Sequence, residues 1–207
     1  MNNIEQGSTS NIRPLLIIIS GPSGVGKDAI LVHLKASGFS FHQVITATTR
    51  PKRTGERDGI DYHFLSEKQF HEMQQMGQFL EWAKVYDNYY GVLKKEIKEA
   101  LEAKQDAIIK VDIQGATTIK QILSDAVFIF LMPPSIEELA ERIKQRHGKP
   151  PADLELRLGK AQEEMKNTHL FDYVVESHKG KLDLAVSQIN AIITAEKCRA
   201  KPRIVKL

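Results

Sequence analysis

Short, uninterrupted apolar segments rich in β-branched residues recur along this chain. The first is "LLIIIS" at 15–20, and it is followed by "DAIIKVD" at 106–112, "AVFIFLM" at 126–132 and "YVV" at 173–175. Apolar runs of this length are typical of strands buried on both faces, as in a parallel sheet. We therefore expect these four segments to form one central sheet.

Helical patterns lie between these strands and after the last of them. Apolar residues at three- and four-residue spacing predict helices over 27–36, 94–103, 115–123, 135–146, 152–166 and 181–197. Ser135, with Glu138 three residues later, predicts a capping box at the start of the fourth of these helices. The alternation of strands and helices predicts an α/β fold, with a parallel sheet covered by helices on both faces.

Two stretches interrupt the α/β rhythm. Residues 46–92 combine Pro, Gly and charge with short alternating segments, which predicts an inserted, mainly antiparallel subdomain with one helix at 66–76. The prolines and glycine of "RHGKPPADL" at 146–154 predict a break between two helices and a mobile lid. The predicted organisation is a disordered leader at 1–13, a core at 14–45, 94–141 and 161–207, the inserted subdomain at 46–93 and the lid at 142–160.

Composition and charge exclude several classes of protein. The chain is 42% hydrophobic and 27% charged, and no apolar run approaches the roughly 20 residues of a membrane helix, so we expect no membrane association. Its 29 basic and 26 acidic residues are too balanced for a duplex-binding protein, so we expect no nucleic-acid partner. The polar leader and the single cysteine, Cys198, predict a cytoplasmic protein.

A phosphate-binding loop follows the first predicted strand. Residues 21–27, "GPSGVGK", satisfy the pattern G-x-x-x-x-G-K between a strand and a helix. Its glycines allow the backbone to curl around a polyphosphate and aim N–H groups at the oxygens, while the lysine adds a positive charge. This motif predicts nucleotide binding by Gly21, Pro22, Ser23, Gly24, Val25, Gly26, Lys27 and Asp28.

The last residue of this set departs from the pattern. A Ser or Thr that coordinates Mg²⁺ normally follows the lysine, whereas this chain has Asp28. A carboxylate could bind the metal directly or through water, but it repels the phosphates unless a cation offsets its charge. Asp112 ends a strand as a second candidate metal-organising carboxylate. Lys110 is a candidate partner of Asp28, the alternative being that Lys110 extends into solvent.

A second cluster of anion-binding side chains lies in the inserted subdomain. "TATTRPKRTGERDGIDYHF" at 46–64 contains Arg50 and Arg53, and Tyr62 follows nine residues after Arg53. Two guanidinium groups and a phenol are donors suited to a phosphate monoester. The sequence therefore predicts a second phosphate site apart from the loop.

The motifs together resemble guanylate kinase. "GPSGVGK", "TTRPKRTGE", "DYHF", "FLEWAKVYDNYYG", "VDIQG" and "RIKQR" followed by "RL" carry the resemblance, which covers residues 15 to 197. "GKDAI", "YYGVLK" and "KVDIQGA" are similar to the branch that includes plant organellar and some bacterial members. The resemblance implies a P-loop fold with a GMP-binding subdomain and a lid. It also implies transfer of the γ-phosphoryl group of ATP to GMP, with dGMP as a further acceptor, in purine nucleotide metabolism, with Mg²⁺ as cofactor.

The resemblance also implies roles for individual residues. The phosphate of GMP would be bound by Arg50, Arg53, Tyr62 and Tyr90, and the guanine by Thr46 and Glu81; we add Asp112 to this GMP-binding set. A carboxylate at Glu81 makes physical sense, because guanine presents two adjacent donors on its pairing edge. The implied catalytic set is Lys27, Arg50 and the lid arginines Arg142, Arg146 and Arg157, and the implied metal ligands are Asp28 and Asp112.

This chain departs from the family pattern at three further positions, and two other functions stay open. Val92 stands where the family usually has Ser or Thr, Lys110 where it usually has Asp, and Glu176 where it usually has Asn. One alternative is a binding module that keeps this fold without catalysis, which Asp28, Val92 and Lys110 keep open. The other is a kinase with a different acceptor, since the phosphate-binding loop alone serves many acceptors. The expected partners are ATP and GMP, and the expected assembly is a monomer or a weak homodimer.

Overall fold

Two β-sheets organise the chain. The computed structural model describes residues 13–85, 87–147 and 153–207, without the side chains of Arg146 and His147. Nearly all of the predicted leader, and residues 148–152 of the predicted lid, lie outside the described residues. Within the described residues, no helix has the length and apolar character needed to cross a bilayer.

Nine strands and seven α-helices form the described part of the chain. The strands are β1 (Leu16–Ser20), β2 (His42–Gln43), β3 (Ala47–Thr48), β4 (His63–Phe64), β5 (Phe79–Val85), β6 (Asn88–Leu93), β7 (Ala107–Lys110), β8 (Val127–Met132) and β9 (Tyr173–Glu176). The helices are α1 (Lys27–Ala36), α2 (Glu67–Gln75), α3 (Lys94–Glu102), α4 (Ile113–Ile122), α5 (Ile136–His147), α6 (Leu154–Met165) and α7 (Leu182–Lys197). A short 3₁₀ helix, Thr168–Leu170, precedes β9.

The first sheet is parallel and has the order β2-β7-β1-β8-β9. All five residues of β1 are buried, which explains its continuous apolar sequence. Helices α1 and α7 pack on one face of the sheet, and α3 and α4 pack on the other. The predicted α/β fold with a parallel sheet covered by helices is confirmed. The pattern missed β2, because two half-buried polar residues have no periodicity to detect.

The second sheet lies within the segment predicted to be inserted. Its order is β4-β3-β6-β5, and β6 pairs antiparallel with both β3 and β5, while β3 and β4 are parallel. Phe70 of α2 stacks on Phe79 of β5 at 4.5 Å between ring centroids, and this contact forms a small separate core. The predicted second, mainly antiparallel sheet is therefore present, and the domain limits stay a prediction.

Side-chain capping fixes where several helices begin. Asp112 accepts a hydrogen bond from the Gly115 amide at 2.9 Å, so α4 begins at Ile113, earlier than its apolar spacing predicted. Of the two hydrogen bonds of the capping box predicted at Ser135, one is formed and the other is not. Ser135 Oγ accepts from the Glu138 amide at 3.2 Å, but the Glu138 carboxylate binds Arg142 instead of returning to the cap. A complete capping box, formed by Ser66 and Gln69, begins α2.

Candidate active site

A cleft of about 680 Å³ separates the phosphate-binding loop from the second sheet. The loop follows β1, and Asp112 follows β7, so both lie at the carboxyl edge of the parallel sheet. Of the predicted site residues, the cleft is lined by Gly21, Pro22, Ser23, Gly24, Gly26, Lys27, Asp28, Thr46, Arg53, Tyr62, Glu81, Tyr90, Asp112, Arg142 and Arg157. Val25 is buried beneath the loop, and the Arg146 side chain lies outside the described residues.

The loop has the backbone that its glycines allow. Gly21 has φ +145°, and a Cβ there would collide with the carbonyl oxygen of Leu131. Gly26, in the left-handed region at φ +106°, is the N-cap residue of α1. The Lys27 ammonium donates to the carbonyl oxygens of Gly21 and, at 3.2 Å, of Pro22. Burial, with a smaller contribution from the nearby charge of Lys110, lowers the pKa of Lys27 to about 8.

Asp28 and Lys110 form the predicted ion pair. The Lys110 Nζ lies 2.5 Å from Asp28 Oδ1, so the pairing is confirmed and the alternative of a solvent-directed lysine is wrong. The Lys110 side chain is 19% exposed and also lies 5.6 Å from the centroid of the Tyr62 ring. Lys110 therefore touches both the loop and the inserted segment.

Of the predicted phosphate-monoester donors, Arg53, Tyr62 and Tyr90 line the cleft. Arg50 packs beside Tyr62 and is not among the described residues that line it. The Arg50 guanidinium stands 5.4 Å from the Tyr62 ring centroid and donates to both Glu56 carboxylate oxygens at 2.8 and 3.0 Å. Tyr62 and Tyr90 pack edge to face at 6.1 Å between centroids. The exposed Arg53 lines the cleft. Ion pairing with Glu56 and packing against Tyr62 hold Arg50 in a defined orientation before any anion binds.

Glu81 of β5 is a buried carboxylate that faces the cleft with an unused oxygen. The residue is 7% exposed, and within the described part of the chain Oε2 has no hydrogen-bond partner. Burial, reinforced by the charge of Asp112, raises the pKa of Glu81 to about 7. Gly115 of α4 makes room for this carboxylate, because a Cβ there would lie 2.9 Å from Glu81 Oε1. Val92, one of the departures, pairs with Glu81 across the sheet and is fully buried.

The two described arginines of the predicted lid are held differently. The Arg142 guanidinium donates to the carbonyl oxygens of Val25 at 2.8 Å and Ser177 at 2.5 Å, and to Glu138 at 2.5 Å. Arg142 therefore braces the phosphate loop against α5 and the segment that follows β9. Arg157 of α6 pairs with Asp153 at 2.8 Å, within the helix that carries it.

Sequence analysis missed two residues of α6 that line the cleft, Lys160 and Glu164. Glu164 is buried, and its Oε1 lies 3.9 Å from the Lys160 ammonium. Burial raises the pKa of Glu164, whereas the charges of Lys160 and Lys27 favour its ionised form. The signal that was available is helical spacing, since Arg157, Lys160 and Glu164 recur every three or four residues on one face.

Two carboxylates in the cleft suit one mode of binding Mg²⁺. No group of three or more acidic, His or Cys side chains that could enclose a metal occurs among residues 13–85, 87–147 and 153–207. Mg²⁺ is usually bound by one or two carboxylates together with substrate phosphates and water. Asp28, 64% exposed beside the loop, and Asp112 at the start of α4 fit that arrangement.

A phosphate-binding loop that faces a buried carboxylate and a second group of arginines and tyrosines defines a P-loop kinase of small nucleotides. The guanylate kinase family model matches residues 13–196. The chain therefore belongs to the guanylate kinase family, as the motifs predicted.

Individual relatives agree with this assignment. A guanylate kinase of Caldanaerobacter subterraneus subsp. tengcongensis is 45% identical over 185 residues, which are 89% of each chain. Guanylate kinase 2, chloroplastic/mitochondrial, of Oryza sativa subsp. japonica is 42% identical over 196 residues, covering 94% of this chain and 69% of the rice protein. The crystal structure of guanylate kinase from Anaplasma phagocytophilum superposes with a TM-score of 0.74 at 26% identity, covering 91% of this chain and 88% of the other.

Proposed function

We propose that this protein transfers the γ-phosphoryl group of ATP to GMP, giving ADP and GDP, as its family membership supports. The observation that carries the assignment is the unpartnered, buried oxygen of Glu81 in the cleft that also contains the phosphate loop. A buried acceptor without a donor costs free energy, so its persistence favours a ligand that supplies donors. Guanine offers two adjacent N–H donors on one edge.

Lys27 and the backbone of the loop would bind the donor nucleotide. In the free protein the Lys27 ammonium is held by two carbonyl oxygens of its own loop, and it would exchange these neutral acceptors for phosphate oxygens. Polyphosphate would also favour the charged form of Lys27, whose pKa burial lowers to about 8. Arg142 would act by holding the loop in shape through the Val25 carbonyl oxygen.

Glu81 would select the acceptor base, and the arginines and tyrosines would fix its phosphate. A Glu81 carboxylate can accept from both guanine donors, whereas adenine presents an acceptor at the corresponding ring nitrogen. Arg50, Arg53, Tyr62 and Tyr90 would hold the phosphate, with Thr46 beside the base. Because the attacking phosphate is already ionised, no general base is required, and the protein contributes alignment and neutralisation of charge.

Charge neutralisation during transfer would come from Arg157 of α6 and, by the family resemblance, from Arg146. Arg157 lines the cleft, and the described structure places it one helical turn from Asp153, which would release it to phosphate. Mg²⁺, held by Asp28 and Asp112 directly or through water, would neutralise charge on the donor phosphates. A role for Arg146 in neutralising the transferring phosphoryl group is proposed from the family resemblance alone.

The setting of the reaction follows from the same proposal. We propose a cytoplasmic enzyme of purine nucleotide metabolism that acts as a monomer or weak homodimer without nucleic-acid or membrane partners, and that the inserted segment 46–93 and the lid 142–160 move relative to the core. The use of dGMP as a further acceptor is also proposed, from the family resemblance.

A coupled assay of ADP release tests the proposed activity. With ATP and Mg²⁺, GMP and dGMP should support turnover, while AMP, CMP and UMP should give little more than the background rate. Lys27→Met should lose turnover and keep GMP binding, because the lysine lies on the donor side. GMP binding by the wild-type protein without any turnover would instead place this chain with the non-catalytic binding modules.

A further inference from the structure

Lys110 lies between the phosphate-binding loop and the residues proposed to bind the acceptor, and it belongs to neither group. It ends β7, and its backbone is aligned with Ile19 of β1, one residue before Ser20 and the loop. Its ammonium reaches Asp28 at 2.5 Å on the donor side and the Tyr62 ring at 5.6 Å on the acceptor side. The parallel sheet therefore holds one cation at the junction of two anion-binding groups.

We propose that Lys110 couples the two nucleotide sites, its ammonium offsetting the repulsion between the phosphates of the bound donor and the acceptor phosphate. The inference rests on the proposed function, since it requires both nucleotides to occupy the cleft. Lys110 is assigned here as a positioning residue for the ternary complex, beyond the residues that bind each nucleotide separately.

A continuous series of contacts supports this role. Asp28 contacts Lys110, Lys110 faces the Tyr62 ring, and the Arg50 guanidinium faces the same ring at 5.4 Å. The tyrosine ring thus has two cations as neighbours, Lys110 from the parallel sheet and Arg50 from the inserted segment. Both substrates bring several negative charges to this region, and their repulsion is strong at short range in a partly buried site. A fixed cation between them lowers that repulsion only when both are bound.

The relative exposure of the ion pair points the same way. Lys110 is 19% exposed, whereas its partner Asp28 is 64% exposed. A pair that served only to neutralise Asp28 could be made in solvent at lower desolvation cost. The less exposed partner is the cation, and its contact with Tyr62 directs it toward the acceptor side. Asp28 then holds the ammonium in place until phosphates compete for it.

Calorimetry can measure this coupling without turnover. The probes are GMP and the non-hydrolysable analogue adenylyl imidodiphosphate with Mg²⁺. The Kd of GMP is measured with and without a saturating concentration of the analogue, and the ratio of the two Kd values is the coupling factor. The coupling factor of Lys110→Met should differ from the wild-type factor by about tenfold. The change should be in the direction of weaker GMP binding to the analogue-bound protein. Lys110→Arg, which keeps the charge, should stay within about threefold of the wild-type ratio.

Lys120 provides a matched control on the neighbouring helix. It also combines an aspartate partner, Asp172 at 3.2 Å, with an aromatic ring, Phe128 at 4.6 Å, but it does not line the cleft. Lys120→Met should leave the coupling factor unchanged, and thermal melting of each variant shows that it is folded. An unchanged coupling factor in Lys110→Met would overturn the inference, as would an equal change in Lys120→Met. Failure of the wild-type protein to bind GMP at all would instead overturn the proposed function.

Discussion

Glu81 combines three properties that disfavour its ionised form. It is buried, one of its oxygens has no hydrogen-bond partner in the described part of the chain, and its neighbour Asp112 has the same charge. Each property raises the cost of the ionised form. Two N–H donors from a bound base would remove most of that cost. Glu81 therefore favours binding of a base that presents two such donors.

The affinity for GMP should therefore depend on pH through Glu81. Only the carboxylate accepts from both donors, and burial raises the pKa of Glu81 to about 7, so protonation below that pH competes with GMP. At pH 6 roughly one-tenth of such a group is ionised, so the affinity should fall about tenfold between pH 8 and pH 6. Calorimetric Kd values across this range test the prediction.

The acceptor phosphate titrates in the same range, so this measurement needs a control. The second pKa of a phosphate monoester is about 6, and its protonation also weakens binding to arginines. Glu81→Gln keeps that phosphate effect and lacks the carboxyl group. If the variant shows the same pH dependence as the wild-type protein, Glu81 does not govern the profile.

Residues inside recognisable motifs were predictable, and residues placed by packing were not. The pairing of Asp28 with Lys110 followed from a charge argument, because an anion beside phosphates requires a compensating cation, and the structure confirms the contact. Glu164 was missed because it lies on a helix without a motif and is directed to the cleft by the packing of α6. The engagement of Arg142 by the Val25 and Ser177 carbonyl oxygens depends on chain segments far apart in sequence, which local patterns do not bring together.

At the scale of elements, hydrophobic periodicity predicted the long helices and buried strands and failed for the shortest pieces. The four apolar segments are β1, β7, β8 and β9, and α1 has the predicted range. β2 and the 3₁₀ helix at Thr168–Leu170 were not predicted, since two or three residues contain no repeat. The capping box expected at Ser135 is incomplete, because the Glu138 carboxylate has a stronger, charged partner in Arg142. A complete capping box occurs at Ser66 instead.

The capping box at Ser66 should stabilise the protein without affecting catalysis. Ser66 Oγ accepts from the Gln69 amide at 3.2 Å, and Ser66→Ala should lower the free energy of unfolding by about 1 kcal/mol. Denaturant unfolding measures the loss. The KM for GMP should stay unchanged, because α2 does not line the cleft.

The matched control is Ser124→Ala, in the exposed turn before β8, where the expected change in the free energy of unfolding is below about 0.5 kcal/mol. Equal losses in the two variants would show that the hydrogen bonds of the capping box contribute nothing measurable to stability.

On the scale of the whole molecule, the cleft lies between two sheets that are joined by two short connections of the chain. The chain leaves the parallel sheet after β2, enters the second sheet at β3, and returns through β6 to α3. Glu96 of α3 lies beside these two connections. One of its carboxylate oxygens accepts from the Ile45 amide at 2.8 Å, and the other is 2.5 Å from His63 Nε2. We predict that the second sheet moves toward the core by rotation about these two connections.

The second sheet should approach the core when both nucleotides bind, because transfer to GMP requires exclusion of water. The single cysteine, Cys198 after α7, is exposed, and Lys68→Cys on α2 provides a second dye position for energy-transfer measurements. Transfer efficiency should rise with GMP and adenylyl imidodiphosphate together more than with either alone.

A dye pair at Cys198 and Gln121→Cys, both on the core, should show no change. Constant efficiency in the Lys68→Cys protein at saturation with both ligands would exclude the predicted closure.

The most direct test of the account is acceptor selectivity, measured as the ratio of kcat/KM for GMP to that for AMP, in the wild-type protein and in Glu81→Gln. A site built around a buried hydrogen-bonding group typically discriminates by several orders of magnitude. We predict a wild-type ratio above about 10⁴ and a loss of at least about 100-fold in the variant, caused by a lower kcat/KM for GMP. A variant that keeps the wild-type ratio would contradict the assignment of Glu81 as the residue that selects guanine.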